Sequence, residues 1–386
     1  MATIRKFTRR LFIISNIVAV VLFLLACANA ILHPARFWLI SLLGLVFPLL
    51  LLLVFVFFVS WLFIPTGRRW ALLSLAALLI GWPNIHSFLA LHPAAHFNQE
   101  KAPHSLRILT WNVRSWDEFI TKKKGASGHR AKMMEFIGEQ QPDVLCFQEF
   151  FESHNSKELP ANISYICQEL KYPYYFFSHD YRHDYRRGDG MFESGVIVFS
   201  RYPILDTLLI RYPRPDGLKS TESLIAADID VEGSRVRVFT THLQSVLFQG
   251  KDFHNIEIIR NVDDSILAAS RSIVKKLHFA FLRRADQAIA VRDQLDKSPY
   301  PGIICGDFND VPNSYTYFTI RSGWQDAFIK KGFGIGRTYV HISPTLRIDY
   351  ILADPRWTVL QCRKFPLPYS DHNPVIADLQ LTEKTP

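Results

Sequence analysis

The stretch "GIICGDFNDVPNS", residues 302–314, changes character halfway along. Gly302-Ile303-Ile304-Cys305 is apolar and reads as a buried strand. Asp307, Asn309 and Asp310 then place two carboxylates and an amide within four positions. Asp307 and Asn309 are two apart, so on an extended backbone they face the same way. A core strand that runs out into an acidic loop calls for something to hold those carboxylates.

Other strand-like runs end the same way. "ILTWNV" delivers Asn112, and "VLCFQEF" delivers Gln148 and Glu149. "VFTTHLQS" delivers His242, "RIDYIL" carries Asp349, and "YSDHNPV" offers Asp371 and His372. Singly, each suits a rim carboxylate or a satisfied core histidine equally well. Together they put oxygen donors and imidazoles at the ends of separate strands. Hard oxygen ligands suit magnesium, manganese or calcium. No CxxC or Cys/His spacing offers zinc a thiolate set. Two histidines beside carboxylates can be oriented and tuned for acid–base work.

Residues 129–140 between these runs suit a helix, with Met133, Met134, Phe136 and Ile137 on its apolar face. "SLIAADIDV" and "RVRVFTTHL" read as a strand pair joined by a Glu232-Gly233 turn. A long helical stretch is expected from about Ile256 to Leu295. Strands alternating with both hairpins and helices predict an α/β fold with mixed sheets, not a purely parallel doubly wound one.

The N-terminal part is different. Residues 11–33 and 37–64 contain no acidic or basic residue, and both exceed the roughly 18–20 apolar residues needed to cross a bilayer. A third run, 70–91, is interrupted by Gly81, Pro83 and Asn84. Three membrane helices are therefore expected over 1–91, then a linker at 92–105 and one domain over 106–386. Of a net charge of +9, residues 1–100 carry seven basic residues against Glu100 alone. The basic pI thus reflects membrane flanks and argues little for nucleic-acid binding. Arg5, Lys6, Arg9 and Arg10, with Arg68 and Arg69, place the N-terminus and the second interhelical loop in the cytoplasm. Three crossings then put the large domain on the non-cytoplasmic face. The absence of any charge inside the helices disfavours a transporter.

"TWNVRSW", "QPDVLCFQEF", "SGVIVFSRYPI", "TTHLQS", "GDFNDVPNS", "RIDYIL" and "SDHNPV", in this order, resemble the endonuclease/exonuclease/phosphatase superfamily over about residues 104–383. That group includes deoxyribonuclease-like nucleases, abasic-site endonucleases, sphingomyelinases and inositol-polyphosphate phosphatases. The resemblance implies a four-layer α-β-β-α sandwich and one or two Mg²⁺ or Mn²⁺ ions. It implies that Asn112, Glu149 and Asp371 sit at the metal, with Glu149 a direct ligand. Asp307 would orient or deprotonate the attacking water, and Asn309 would hold the phosphate. His242 and His372 would meet the phosphoryl oxygens or the leaving group, with Asp349 buttressing His372. The substrate would be a phosphate ester, either nucleic acid or a phospholipid head group; no protein partner is implied. A tethered, non-catalytic binding domain is the rival from another class.

Four features stay open. "DGLKSTES" lacks the spaced first glycine of a P-loop. Glu193 is a candidate buttress for His242. Residues 245–284 read as an insertion that packs on the domain or lies on a membrane surface. Cys167 and Cys362 could pair.

Overall fold

The computed structural model describes residues 2–64, 67–93, 96–118, 128–154, 161–184, 191–213, 221–246 and 266–382. By contacts the chain divides into two compact units. One comprises residues 1–89, 245–288 and 310–320; the other comprises 90–244, 289–309 and 321–386. The first thus takes in two segments from the sequence region expected to form a single domain.

The first unit contains α1 (Ala2–Ala28), α2 (Pro34–Leu45), α3 (Phe47–Leu62), α4 (Arg68–Ile80) and α5 (Trp82–Phe88). Only α1 is by itself long and apolar enough to cross a membrane. The second and third expected spans are each a pair of helices bent by 62°, and they meet that test only as pairs. Proline explains both bends. Pro48 and Pro83 lie in the first turns of α3 and α5. Proline has no N–H for the helical ladder, and its ring presses on the carbonyl four residues back.

The second unit begins with β1 (Ala90–Leu91), β2 (Leu106–Asn112), α6 (Arg130–Gln140), β3 (Val144–His154), α7 (Asn162–Gln168), β4 (Tyr174–Phe177), β5 (Tyr181–Asp184) and β6 (Met191–Ser200). There follow β7 (Ile204–Arg211), β8 (Ser223–Val231), β9 (Ser234–His242), α8 (Ile266–Asp296), whose last turns belong here, and β10 (Gly302–Asp307). After α9 (Tyr315–Arg321) come β11 (Gln325–Asp326), α10 (Ala327–Lys331), β12 (Phe333–Gly334), β13 (Asp349–Ala353), β14 (Trp357–Lys364) and β15 (Val375–Leu381).

One sheet has the order β11-β13-β10-β9-β8-β7. The other runs β14-β15-β2-β3-β6-β4, with β5 also on β6. Both are mixed: β2/β3 and β9/β10 are parallel, and the remaining pairs are antiparallel. The expected hairpin turn at Glu232-Gly233 is present, with both residues at positive φ, the backbone that tight hairpins require.

Alternation along the strands builds two cores. Ile108, Val144, Cys146 and Val198 meet Val238, Ile303, Cys305 and Ile351 of the other sheet. Their neighbours Leu109, Leu145, Phe147 and Phe199 face outward and pack with Met133, Phe136 and Ile137 of α6 and Ile166 of α7. Burial on both faces is why these strands read as unbroken apolar runs.

Arg107 on β2 is buried in a two-pronged pair with Asp378 of β15, at 2.7 and 2.9 Å. Its remaining donors reach the carbonyls of Asn98, Gln99 and Gln140. Arg107→Ala strands Asp378 in the interior. We expect it to lower stability by about 3–5 kcal/mol, readable as a shifted denaturation midpoint of the full chain.

Candidate active site

The inner-face position that follows each apolar run is polar, and these positions lie at one end of the sandwich. On β2 the inner face runs Ile108, Thr110, Asn112; on β9, Val238, Thr240, His242; on β10, Ile303, Cys305, Asp307. Register sets them in line. Asp307 is opposite His242 on one side and Asp349 on the other. Asn112 comes from the facing sheet, and its Nδ2 donates to Asp307 Oδ2 at 3.1 Å and to Glu149 Oε1 at 3.0 Å.

Glu149 needs a defect to get there. Plain alternation would send it outward with Leu145 and Phe147. Pairing of β3 with β6 slips between Phe147 and Phe150, and Glu149 takes φ +49°. The bulge re-aims the side chain, which is 43% exposed whereas Asp307 is 1% exposed. His242 Nε2 lies 3.5 Å from Asp307 Oδ2 and 3.9 Å from Glu149 Oε1.

His372 enters from the loop before β15. Its Nδ1 is 2.9 Å from Asp349 Oδ2, and its Nε2 is 3.7 Å from Asp307 Oδ2. Trp111 Nε1 donates to the His372 carbonyl, and Ser370 Oγ accepts the His372 N–H. Asn309 sits at φ +53°. Its N–H donates to Asp307 Oδ1, and its Nδ2 donates to the Leu243 carbonyl. The glycine of "GDFN" has a steric cause. Gly306 has φ +148°, and a Cβ there would lie 2.1 Å from the Thr241 carbonyl oxygen.

Burial first, then neighbouring Asp349, raises the Asp307 carboxyl to about 6; His372, His242 and the Asn309 N–H oppose this. Burial alone would lower the His372 pKa, but Asp349, Asp307, the hydrogen bond to Asp349 and Asp371 outweigh it and lift the group to about 10. A folded-state imidazole raised above 6.5 stabilises the folded chain fully below that pH and loses this as pH rises through about 10.

Seven of the eight expected site residues therefore converge: Asn112, Glu149, His242, Asp307, Asn309, Asp349 and His372. The Asp371 carboxylate lies 3.3 Å from Arg114 Nε and also accepts from Ser370 Oγ. Glu193 does not buttress His242; it bonds His154 and His179 instead. Cys167 and Cys362 are free thiols. Most of "DGLKSTES", and residues 247–265 of the expected insertion, lie outside the described residues.

Other neighbours were not foreseen. Gln148 ties the sheets together through Thr110 and Thr240. Tyr339 bridges to His372 through the backbone, with ring centroids 5.0 Å apart. Its only sequence signal is an aromatic in the loop before "RIDYIL". A cleft of about 260 Å³ opens beside Glu149 and His242, lined also by Asp180, Tyr181, Ser194 and Thr221.

The endonuclease/exonuclease/phosphatase family matches residues 109–372, and residues 9–88 match a domain of unknown function. Among solved structures, the human Nocturnin catalytic domain with bound sulfate is 17% identical, with TM-score 0.50, over 73% of this chain and 97% of that one. An endonuclease/exonuclease/phosphatase from Beutenbergia cavernae is 21% identical, with TM-score 0.49, over 72% of each chain. One from Bacteroides vulgatus is 18% identical, with TM-score 0.49, over 72% of this chain and 99% of that one. No curated protein matches significantly. With more than half of its length matched and its strand ends arranged in this way, the chain belongs to the endonuclease/exonuclease/phosphatase family of phosphoester hydrolases.

Proposed function

We propose that the chain is a membrane-anchored, divalent-metal-dependent phosphodiesterase. The observation that carries this reading is the convergence of Asn112 and Glu149 from one sheet on His242, Asp307 and Asp349 from the other. The donor set fits a hard cation: Glu149 offers a half-exposed carboxylate beside the Asn112 amide. Buried Cys146 and Cys305 belong to the apolar core and leave no thiolate there. Asp307, Asn309, Asp349, His242 and His372 would not all be needed at one strand end for folding.

In this reading Glu149 and Asn112 hold the ion, and Asp371 lies near enough to the His372 loop to serve a second position. The bound cation would offset the carboxylates' repulsion of a phosphate and polarise its oxygen. Asp307, held by Asn112 and the Asn309 N–H, takes the proton of the attacking water. Asn309 and His242 present donors to the phosphoryl oxygens. His372, charged and fixed by Asp349, stabilises developing negative charge. The cleft has room for a phosphoester group, with the rest of the substrate outside it.

The test is hydrolysis of bis-p-nitrophenyl phosphate, DNA, RNA and sphingomyelin by the full chain in detergent, with magnesium or EDTA. The full chain is required because residues 245–288 and 310–320 group with the helices. Failure on all four substrates would favour the tethered binding domain.

A phospholipid head group is the second reading. Residues 310–320 group with the apolar helices, and four residues of chain from Asn309 to Asn313 span at most about 14 Å. Asn309 therefore cannot lie far from that unit in any arrangement. Preferential cleavage of sphingomyelin over nucleic acid would select this reading.

We also propose that α1 and both bent pairs cross the bilayer. Apolar side chains on α1 and α3, such as Leu11, Ile14, Val18, Leu49, Leu52 and Phe55, are exposed, as lipid contact would require. A reporter fused after Pro386 should then be active only outside the cytoplasm. A cytoplasmic reporter would mean that just one bent pair crosses, since a re-entrant pair returns the chain to the side it left.

A further inference from the structure

The five residues after Asn309 do not behave as a loop on the surface. Asp310, Pro312, Asn313 and Ser314 belong to the helical unit, and Asn313 is 1% exposed. Every hydrogen-bonding group of the Asn313 side chain, and its own carbonyl, is taken up by that unit. Its Nδ2 donates to the carbonyl of Ala26 at 2.9 Å, in the last turn of α1. Its Oδ1 accepts from Asn84 Nδ2 on α5. Its main-chain oxygen accepts from Asn29 Nδ2 at 2.9 Å. The preceding carbonyl, of Pro312, accepts from Ser87 Oγ at 2.9 Å. Asp310 meets Arg284 of α8 at 3.1 Å, both side chains being buried.

The helices are shaped for this segment. Asn84 Nδ2 also reaches the Cys27 carbonyl at 3.1 Å, so two amides share the carbonyls at the end of α1, where a helix leaves acceptors without partners. Gly44 on α2 leaves room for Asn29, because a Cβ there would lie 2.3 Å from its Nδ2. Polar side chains inside an apolar bundle are costly unless satisfied. Asn29 and Asn84 find partners in residues 312–314 and the end of α1. A tail that only tethers a domain needs no such grip on the segment that follows "GDFN".

We propose that Asn313 is a positioning residue, through which the helix bundle fixes the loop that carries Asp307 and Asn309. The inference rests on the phosphodiesterase reading for its consequence, and on the hydrogen bonds above for its geometry. Asn309 holds a left-handed backbone, with its N–H on Asp307 Oδ1. That conformation is disfavoured for a residue with a side chain, and it persists only where its surroundings over-determine it. The grip on Pro312 and Asn313, three and four residues on, supplies the constraint. The helices are then part of the catalytic scaffold.

The experiment uses the full chain in detergent micelles with bis-p-nitrophenyl phosphate and magnesium. Asn313→Ala is expected to lower kcat by about 10-fold or more, the scale of a misplaced catalytic group. KM and the magnesium midpoint should change little. The double variant Asn309→Ala/Asn313→Ala should be no slower than Asn309→Ala alone, because Asn313 acts through Asn309. A purely structural loss would instead add to it. Asn84→Ala and Ser87→Ala each remove one bond while leaving residues 310–314 intact, and they carry the test if Asn313→Ala does not fold. Hydrogen exchange of the peptide spanning residues 305–311 supplies a readout independent of activity. It should quicken in Asn313→Ala while the β9 and β13 peptides stay protected. Unchanged exchange, or additive losses in the double variant, overturns the proposal. Quickened exchange in a chain that cleaves no phosphoester would keep the clamp and sink the phosphodiesterase reading.

Discussion

His372→Ala and His242→Ala should each lose at least about 10²-fold in turnover, the lower end of what a positioned acid–base group contributes. Magnesium affinity and the unfolding transition should be nearly unchanged. The two imidazoles arrive from different elements, yet both approach the same oxygen, Asp307 Oδ2, at 3.5 and 3.7 Å. Their couplings differ. His372 is fully enclosed and bonded to Asp349, whereas His242 is 20% exposed on the cleft side. Asp349→Asn should therefore act through His372. Combining it with His372→Ala should cost much less than the product of the two separate losses, as for residues that act as a unit. Asp349→Asn/His242→Ala should come closer to multiplying. Steady-state kinetics of the four variants on bis-p-nitrophenyl phosphate decides this. If both histidine variants keep near-normal turnover, "SDH" is only a strand-end motif here and the tethered binding domain becomes the better account.

Glu149→Gln tests the metal. Glutamine keeps the volume and can still accept from Asn112, but it removes the charge. Because Glu149 is 43% exposed, folding should hardly change. Turnover should fall by about 10²–10³-fold, the range for losing one electrostatic contributor in an active site. The magnesium concentration giving half-activity should rise. In the unaltered chain, EDTA should abolish turnover, and magnesium or manganese should restore it. Full turnover in chelator would end the mechanism proposed for this site, whatever Glu149→Gln does.

The site was legible in the sequence to the extent that strand alternation decides which way a residue points. Asn112, His242, Asp307 and Asp349 stand two, four or six residues from apolar inner-face positions, so their direction follows from the period of two. Gly306 could be read as a motif glycine, but its reason lies in the Thr241 carbonyl pressed against it. Glu149 was named from its place in "FQEF". Alternation alone points it the wrong way, and the bulge that corrects this depends on pairing with β6. Glu193 failed for the opposite reason. It lies on the same strand, but two histidines distant in sequence claim its carboxylate.

Composition settled that residues 11–33 form an apolar helix, because a run of that length without charge has few other stable states. It could not settle whether the later runs cross as single rods. Pro48 and Pro83 bend them, and the consequence depends on what each arm packs against. Nor could sequence order assign residues 310–314. They follow a core strand and look like the start of the next loop, yet their amide and carbonyls are bonded to helices more than 200 residues earlier. Local chemistry determined what each strand end carries. Which ends meet, and what holds them there, was decided by long-range register and by buried polar groups that had to find partners.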